Sequence, residues 1–152
     1  MSVFHGLNIS AGALTAQRLR MDVASSNIAN QQSTRATMLP DGQFEPYRRK
    51  MVVLQPENHS FKSYMSKAQM NQKATSQGVK VSGLVQDQEP FKAIFDPTHP
   101  DANDEGYVLY PNVDPLKEMV DLMGATRSYE ANITALNATK DMLLKALEIG
   151  RS

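Results

Sequence analysis

The sequence predicts an α+β fold in which long N- and C-terminal helices pack as an antiparallel coiled-coil-like hairpin, with a small, mainly β middle domain. Apolar residues recur at alternating steps of four and three in both terminal segments, which places them along one side of a helix. All eight prolines fall between Pro40 and Pro115, so long helices are excluded from the middle. The predicted division is an N-terminal helix in 1–34, a β-rich domain in 35–112 and a C-terminal helix in 113–152.

The first helix is predicted from about His5 to Asn30, where good helix formers occur without proline. A second, shorter apolar stripe lies roughly 200° around the helix, at about 100° per residue. Two nearly opposite apolar faces favour a helix sandwiched between neighbours, whereas one stripe would be ordinary burial against the chain's own core. The main stripe is Leu7, Ala11, Leu14, Arg18, Met21, Ser25 and Ile28, and the second is Ile9, Ala13, Ala16, Arg20 and Val23.

The last helix is predicted to begin at Asp114-Pro115, a favoured N-cap followed by a favoured first residue, and to end at Gly150. About 35 residues make it roughly 50 Å long. Gly124 predicts a bend or a tight contact. The main stripe is Leu122, Thr126, Tyr129, Ile133, Leu136, Lys140, Leu143 and Leu147, and a smaller one is Ala131, Ala135, Ala138, Met142, Ala146 and Ile149.

Four short strands are predicted in the middle because β-prone runs there are bounded by Gly, Pro, Asn or Asp. They are Tyr47 to Leu54, Val79 to Val85, Phe91 to Phe95 and Tyr107 to Tyr110. Residues 56–77 are polar and have no sustained period, so they are predicted to form a long loop.

Composition excludes several classes of protein. The 16 basic and 16 acidic residues balance, so no overall field attracts nucleic acid. The chain has no cysteine, and therefore no disulfide or thiolate chemistry. No apolar run approaches 18 residues, and Met1 to Leu7 lacks the pattern of a cleaved signal peptide. We expect a chain that neither spans a membrane nor carries a cleaved signal.

Candidate catalytic chemistry is sparse. His5, His59 and His99 lack the spacing that would hold two metal ligands on one element, and no GxSxG, P-loop, HExxH or GxGxxG occurs. We therefore expect no enzyme activity, no catalytic residue, no metal and no cofactor.

An acidic segment resembles part of a calcium loop. Asp101, Asn103, Glu105 and Gly106 match its positions 1, 3, 5 and 6, but Asn112 stands where a bidentate Glu is required. A structured turn is the preferred interpretation.

The basic cluster Arg48-Arg49-Lys50 follows Tyr47. Three cations in a neutral chain are weak support for phosphate binding, and a solvated or interface-facing strand is the simpler interpretation. The more specific role is pairing of arginine with carboxylates, including polar contacts between subunits.

The segment Asn27-Ile28-Ala29-Asn30 lies where the first helical pattern ends, so its amides are expected to cap backbone groups and turn the chain. With Thr34 downstream, this segment also resembles the N-terminal signature of bacterial flagellar axial proteins. Further segments resemble the FlgC family of flagellar basal-body rod proteins, which are proximal-rod subunits. These are 46–49, 95–113, 118–120, 128–132 and 147–150.

The resemblance implies a tube whose inner layer is built from paired terminal helices, with the middle domain outside. It implies as partners other copies of the chain, other rod proteins and, during secretion, the flagellar type III export apparatus. It also implies a place in the periplasmic rod and export without a cleaved signal peptide. No nucleic-acid partner and no membrane-spanning segment are expected.

Polymerisation is the mechanism that the helical stripes favour. Two opposite apolar stripes per helix cannot all be buried in one monomer, so we expect isolated ends to be poorly ordered and to fold on joining neighbours. Which stripe lies within the chain and which between subunits stays open. The predicted assembly residues are Leu7, Ala11, Leu14, Met21, Ile28, Leu122, Tyr129, Ile133, Leu136, Leu143 and Leu147.

Two other classes of protein remain open. A coiled-coil adaptor would form a folded oligomer of fixed size without polymerising. A small metal-dependent enzyme would use His99 and the acidic segment.

Overall fold

The computed structural model describes residues 3–40, 42–57 and 78–150, and these confirm the α+β class. Within these described ranges, two helices flank six short strands. In chain order the elements are α1 (Val3–Ala29), β1 (Thr37–Met38), β2 (Phe44–Glu45), β3 (Lys50–Pro56), β4 (Val79–Gln86), β5 (Lys92–Phe95), β6 (Tyr107–Tyr110) and α2 (Pro115–Ile149).

Both helices lie within a residue or two of their predicted bounds. At the start of α2, Asp114 acts as the N-cap, since its Oδ1 accepts from the backbone N–H of Leu116 at 3.1 Å. The helix continues through Gly124, where an added Cβ would meet no atom of the chain within 4 Å. The tight contact predicted at Gly124 is therefore absent within the described part of the chain.

The strands form three two-stranded sheets, β1 with β2, β3 with β4, and β5 with β6. In the last, Ala93 lies opposite Leu109 and Phe95 lies opposite Tyr107 in antiparallel register.

The strand that was predicted to begin at Tyr47 begins at Lys50, because the backbone before Lys50 forms hydrogen bonds outside the sheet. The N–H of Tyr47 donates to the carbonyl of Ser33 at 3.0 Å. The polar tract 56–77 lies almost wholly outside the described residues.

The chain divides into two units, each of which draws on both helices. Among the described residues, the first takes in 3–18, 53–57, 78–83 and 126–150, and the second takes in 19–52 and 84–125. In the first unit, a Cβ added at Gly12 would lie 3.0 Å from the carbonyl oxygen of Val79, so glycine lets α1 approach β4 closely.

The second unit contains most of the buried apolar side chains of the described residues. Val108 and Ala125 are almost fully buried, and their neighbours in the core come from α1, the strands and the start of α2. Its remaining buried apolar members are Val23, Ala24, Tyr47 and Val113. The core is small, so polar contacts carry a large share of the packing between segments.

Gly106 is a position where we expect alanine to be poorly tolerated. Its φ of +79° lies in the left-handed region, and an added Cβ would lie 2.9 Å from the Phe95 ring. Gly42 has a similar φ of +77° but open space. Gly42→Ala should cost about 1 kcal/mol of unfolding free energy and Gly106→Ala about 2–3 kcal/mol, the difference being the ring clash. Urea unfolding followed by circular dichroism measures both, and equal losses would contradict the clash.

Candidate assembly site

A buried group of polar side chains within the second unit joins α1 and α2 to the segments that precede β3 and follow β4 and β6. We call it the polar cluster. Its members are Asn27, Tyr47, Arg49, Asp87, Asn112 and Glu118.

Asn27 uses its whole side-chain amide inside the polar cluster and is 1% exposed. Its Nδ2 donates to the carbonyl of Lys50 and to Glu118 Oε2, each at 2.9 Å. Its Oδ1 accepts from the backbone N–H of Lys50 and from the Tyr47 hydroxyl, each at 3.0 Å. Both donors and both lone pairs are satisfied, so burial of this amide is favourable.

Arg49 and Glu118 form the charged pair of the polar cluster. Arg49 Nε donates to Glu118 Oε1 at 2.6 Å, and Nη1 lies 3.3 Å from Asp87 Oδ2. The Glu118 side chain is 2% exposed. Burial lowers the pKa of Arg49, but the hydrogen bonds and charges of Glu118 and Asp87 outweigh it and raise the pKa above its ordinary value. Removing either partner would strand a buried charge.

Asn112 extends the polar cluster to the segment before α2. Its Oδ1 accepts from the backbone N–H of Arg49 at 2.9 Å, and its Nδ2 donates to the carbonyl of Glu89 at 3.2 Å. The pKa of Asp87 is lowered first by the hydrogen bond from the Glu89 backbone N–H and then by Arg49. These hydrogen bonds connect α1, the segments beside the strands and the start of α2, so the arrangement holds these segments together.

Comparison with known proteins identifies the family. The flagellar basal-body rod protein FlgC of Bacillus subtilis (strain 168) is 59% identical over 151 residues, which cover 99% of this chain and all of the relative. FlgC of Salmonella typhimurium is 43% identical over 99% of this chain and 100% of its own length, and FlgC of Borreliella burgdorferi is 40% identical over 98% of both. This chain belongs to the FlgC family of flagellar basal-body rod proteins.

Family models agree with this membership at both ends of the chain. One, described as flagella basal body rod protein, matches residues 7–36, and another, described as flagellar basal body rod FlgEFG protein C-terminal, matches residues 104–149. The resemblance drawn from the sequence motifs is confirmed. FlgC proteins are structural subunits of the rod, so the prediction that this chain is not an enzyme is also confirmed.

The motif Asn27-Ile28-Ala29-Asn30 at the end of α1 does more than end the helix. Asn30 behaves as expected, since its Nδ2 donates to the carbonyl of Ser26 at 2.8 Å. Asn27 instead reaches β3 and α2, which its local position did not predict. Ile28 is half-buried and Ala29 is exposed. Thr34 donates from its hydroxyl to Asp101 Oδ2 at 2.8 Å.

The cationic residues 48–50 are all engaged within the chain. Arg48 pairs with Glu45 at 2.9 Å and lies 4.4 Å from the centre of the Phe91 ring. Lys50 Nζ lies 5.4 Å from the centre of the Tyr47 ring. The expected pairing of arginine with carboxylates is present for Arg48 and Arg49, whereas their contacts between subunits stay a prediction.

The predicted assembly residues differ in exposure. Ile133 and Leu147 are exposed large apolar side chains on α2, and Ala11 is exposed on α1. The half-buried members are Leu7, Leu14, Met21, Ile28, Leu122, Tyr129, Leu136 and Leu143. On α1 no large apolar side chain between residues 5 and 29 is exposed, but Leu7, Leu14 and Met21 are only half-buried, so the covering of its stripes by neighbouring subunits stays a prediction. Small residues such as Ala11 take the outer positions there.

The acidic segment forms turns, as the preferred interpretation expected. Asp101 directs its carboxylate to Thr34 and to Arg35, whose Nε donates to Oδ1 at 2.6 Å. The backbone N–H of Asp101 donates to His99 Nδ1 at 3.1 Å. Among the described residues no group of three or more His, Cys, Asp or Glu could hold a metal, and His59 lies outside them. The described helices include none long and apolar enough to cross a membrane.

Asp101 should make the stability of this unit sensitive to acid. Its pKa lies below the ordinary value because Arg35 and then Thr34 donate to it. A lowered pKa adds stability that is complete above the ordinary value of about 3.9 and is lost as the pH falls through the folded-state pKa. We expect Asp101→Asn to unfold at lower urea concentration than the parent at pH 6, with the gap closing below pH 3.9. A gap that stays constant with pH would contradict this role.

Proposed function

We propose that this chain polymerises through its terminal helices into the tubular wall of the proximal rod in the periplasm. The observation that carries the proposal is the uncovered apolar surface at the end of α2. Met142, Leu144, Leu147 and Ile149 are all exposed on a helix whose partners in the chain leave them in contact with water. Such side chains gain most from burial against neighbouring subunits.

The proposal assigns different tasks to the two units. The α2 tail and the half-buried apolar residues beside it supply the surface that neighbouring subunits cover. The polar cluster fixes the end of α1, the start of β3 and the start of α2 together, so the second unit would add to the wall as a stiff body. A stiff unit in each subunit fits a shaft that transmits torque, and a tube fits the passage of exported proteins through its centre.

The same proposal includes delivery of the subunit. The chain would leave the cytoplasm through the flagellar type III export apparatus and assemble with copies of itself and with other rod proteins. Arg48 and Lys50 are the cations we assign, beside the helices, to polar contacts between subunits. Within the chain these cations contact carboxylate and aromatic groups. A neighbouring subunit could replace those contacts at little cost in free energy, because ion pairs near the surface contribute little to stability.

Leu136→Asp should abolish incorporation into rods and therefore motility. A carboxylate at this half-buried position would have to be desolvated between packed helices, which is strongly unfavourable. The matched control is Asn137→Asp, which adds the same charge at the neighbouring exposed position. Motility and electron microscopy of isolated basal bodies measure the outcome. Normal rods with Leu136→Asp would refute assembly through this helix, and a purified oligomer of fixed size would favour an adaptor instead.

A further inference from the structure

The β5–β6 sheet has one uncovered apolar face. Because the strands are in register, Ala93, Phe95, Tyr107 and Leu109 share one side, while the other side carries Val108, which is fully buried, and Ile94, which is 49% exposed. The three large side chains of the outer side are 43% to 63% exposed, and the rings of Phe95 and Tyr107 pack edge to face at 5.4 Å. We call this side the hairpin face.

The first turns of α2 carry a second uncovered apolar surface. Leu116, Met119, Val120 and Met123 recur at steps of three, one and three, which places them on one side of the helix. They are 44% to 72% exposed. The buried Glu118 lies about half a turn away, so this surface is the side opposite the polar cluster. We call it the helix stripe.

We propose that the helix stripe of one copy packs on the hairpin face of the next copy in the rod. This inference rests on the proposed function, because it requires that copies of this chain are neighbours. A helix covering one face of a sheet is an ordinary packing of two layers, and each copy offers one half of it. The aromatic pair supplies rigid anchors, and the two methionines adapt to their shape.

A contact between two different surfaces also fits a rod. When the same surface pairs with itself, assembly stops at a dimer, whereas pairing of two different surfaces continues into an open helix. The uncovered area is too small to hold two isolated copies together, so the contact would depend on the other contacts within the rod. Each surface offers on the order of 300 Å² of apolar area, so one contact would bury on the order of 600 Å². That is about half of what a stable two-body interface requires, so isolated copies should remain separate.

The absence of native cysteine makes the contact testable by cross-linking. Val120→Cys and Leu109→Cys are produced as two single variants in cells that build flagella, and isolated basal bodies are oxidised. When both are present, we expect at least ten times more cross-linked dimer than with either variant alone. The matched control pairs Val120→Cys with Gln88→Cys, an exposed position of the same unit that belongs to neither surface. Equal yields in the control, or dimers from Val120→Cys alone, would overturn the proposal.

A second variant separates this inference from the proposed function. Val120→Asp should reduce incorporation at least tenfold, whereas Asn137→Asp, which adds the same charge at an exposed position of α2 outside the helix stripe, should not. If Leu136→Asp blocks incorporation while the cross-link is absent and Val120→Asp incorporates normally, the helix-stripe contact is wrong and the proposed function stands. If Leu136→Asp incorporates normally, the proposed function is wrong.

Discussion

Replacing Glu118 by alanine should lower the free energy of unfolding by about 3–5 kcal/mol, the range for breaking a buried ion pair by removing one partner. The variant would leave Arg49 without its 2.6 Å acceptor in a site where its side chain is 10% exposed. It would also remove one of the two acceptors of Asn27 Nδ2, which keeps only the Lys50 carbonyl. One N–H of each side chain would then lack a partner, and the cost comes mainly from the lost hydration of these groups.

Urea unfolding followed by circular dichroism at 222 nm measures this loss. Glu130→Ala is the control, because it removes the same carboxylate from an exposed position of the same helix. Glu118→Gln removes the charge and keeps the shape of the side chain. We expect its free energy of unfolding to lie between that of the parent and that of Glu118→Ala. Losses below 1 kcal/mol, or equal to that of Glu130→Ala, would show that the polar cluster is not holding the unit together.

Asn27→Asp should be nearly as damaging although the two side chains have the same shape. It replaces the Nδ2 donor by an oxygen that faces Glu118 Oε2 and the Lys50 carbonyl, each 2.9 Å from that atom. Two carboxylates at that separation repel, so we expect a loss of about 3 kcal/mol at pH 7. The introduced carboxyl has a raised pKa in the folded state, so the loss is greatest above that pKa. It shrinks as the pH falls toward about 3.9.

The control for this prediction is Asn137→Asp, which makes the same exchange at an exposed position of α2. Its stability should follow that of the parent within about 0.5 kcal/mol at every pH. The quantity to compare is the difference in unfolding free energy between pH 7 and pH 4 for both variants. A difference that is equal in the two would mean that Asn27 does not face Glu118 in solution.

The helices were predictable because their signals are local. Asp114-Pro115 predicts a helix start from two adjacent residues, and the prolines exclude helix elsewhere. The strands β1 and β2 were not predicted, because each has two residues and depends on the turn at Gly42. The late start of β3 was also unpredictable, since it follows from a hydrogen bond between Tyr47 and Ser33 that nothing in either segment indicates.

The type of interaction in the polar cluster was predictable from the sequence, but the residues that form it were not. An arginine in the segment 48–50 was expected to pair with a carboxylate, but the chain has 16 acidic residues and no spacing selects Glu118 among them. In the sequence, Glu118 is a typical acidic residue in the first turn of a helix, and nothing marks it as buried. Asn27 likewise resembles a capping residue in the sequence. Its true partners, on β3 and α2, are distant in sequence and become neighbours only in the folded chain.

The hydrogen bond between Asn27 and Glu118 spans 91 residues of sequence. A chain that emerges from the ribosome N-terminus first therefore presents the motif residue long before its partner exists. Until the start of α2 is synthesised, Arg49 and Asn27 favour water over burial, and the second unit lacks the contacts that close it. The second unit can therefore close only after the start of α2 has been made.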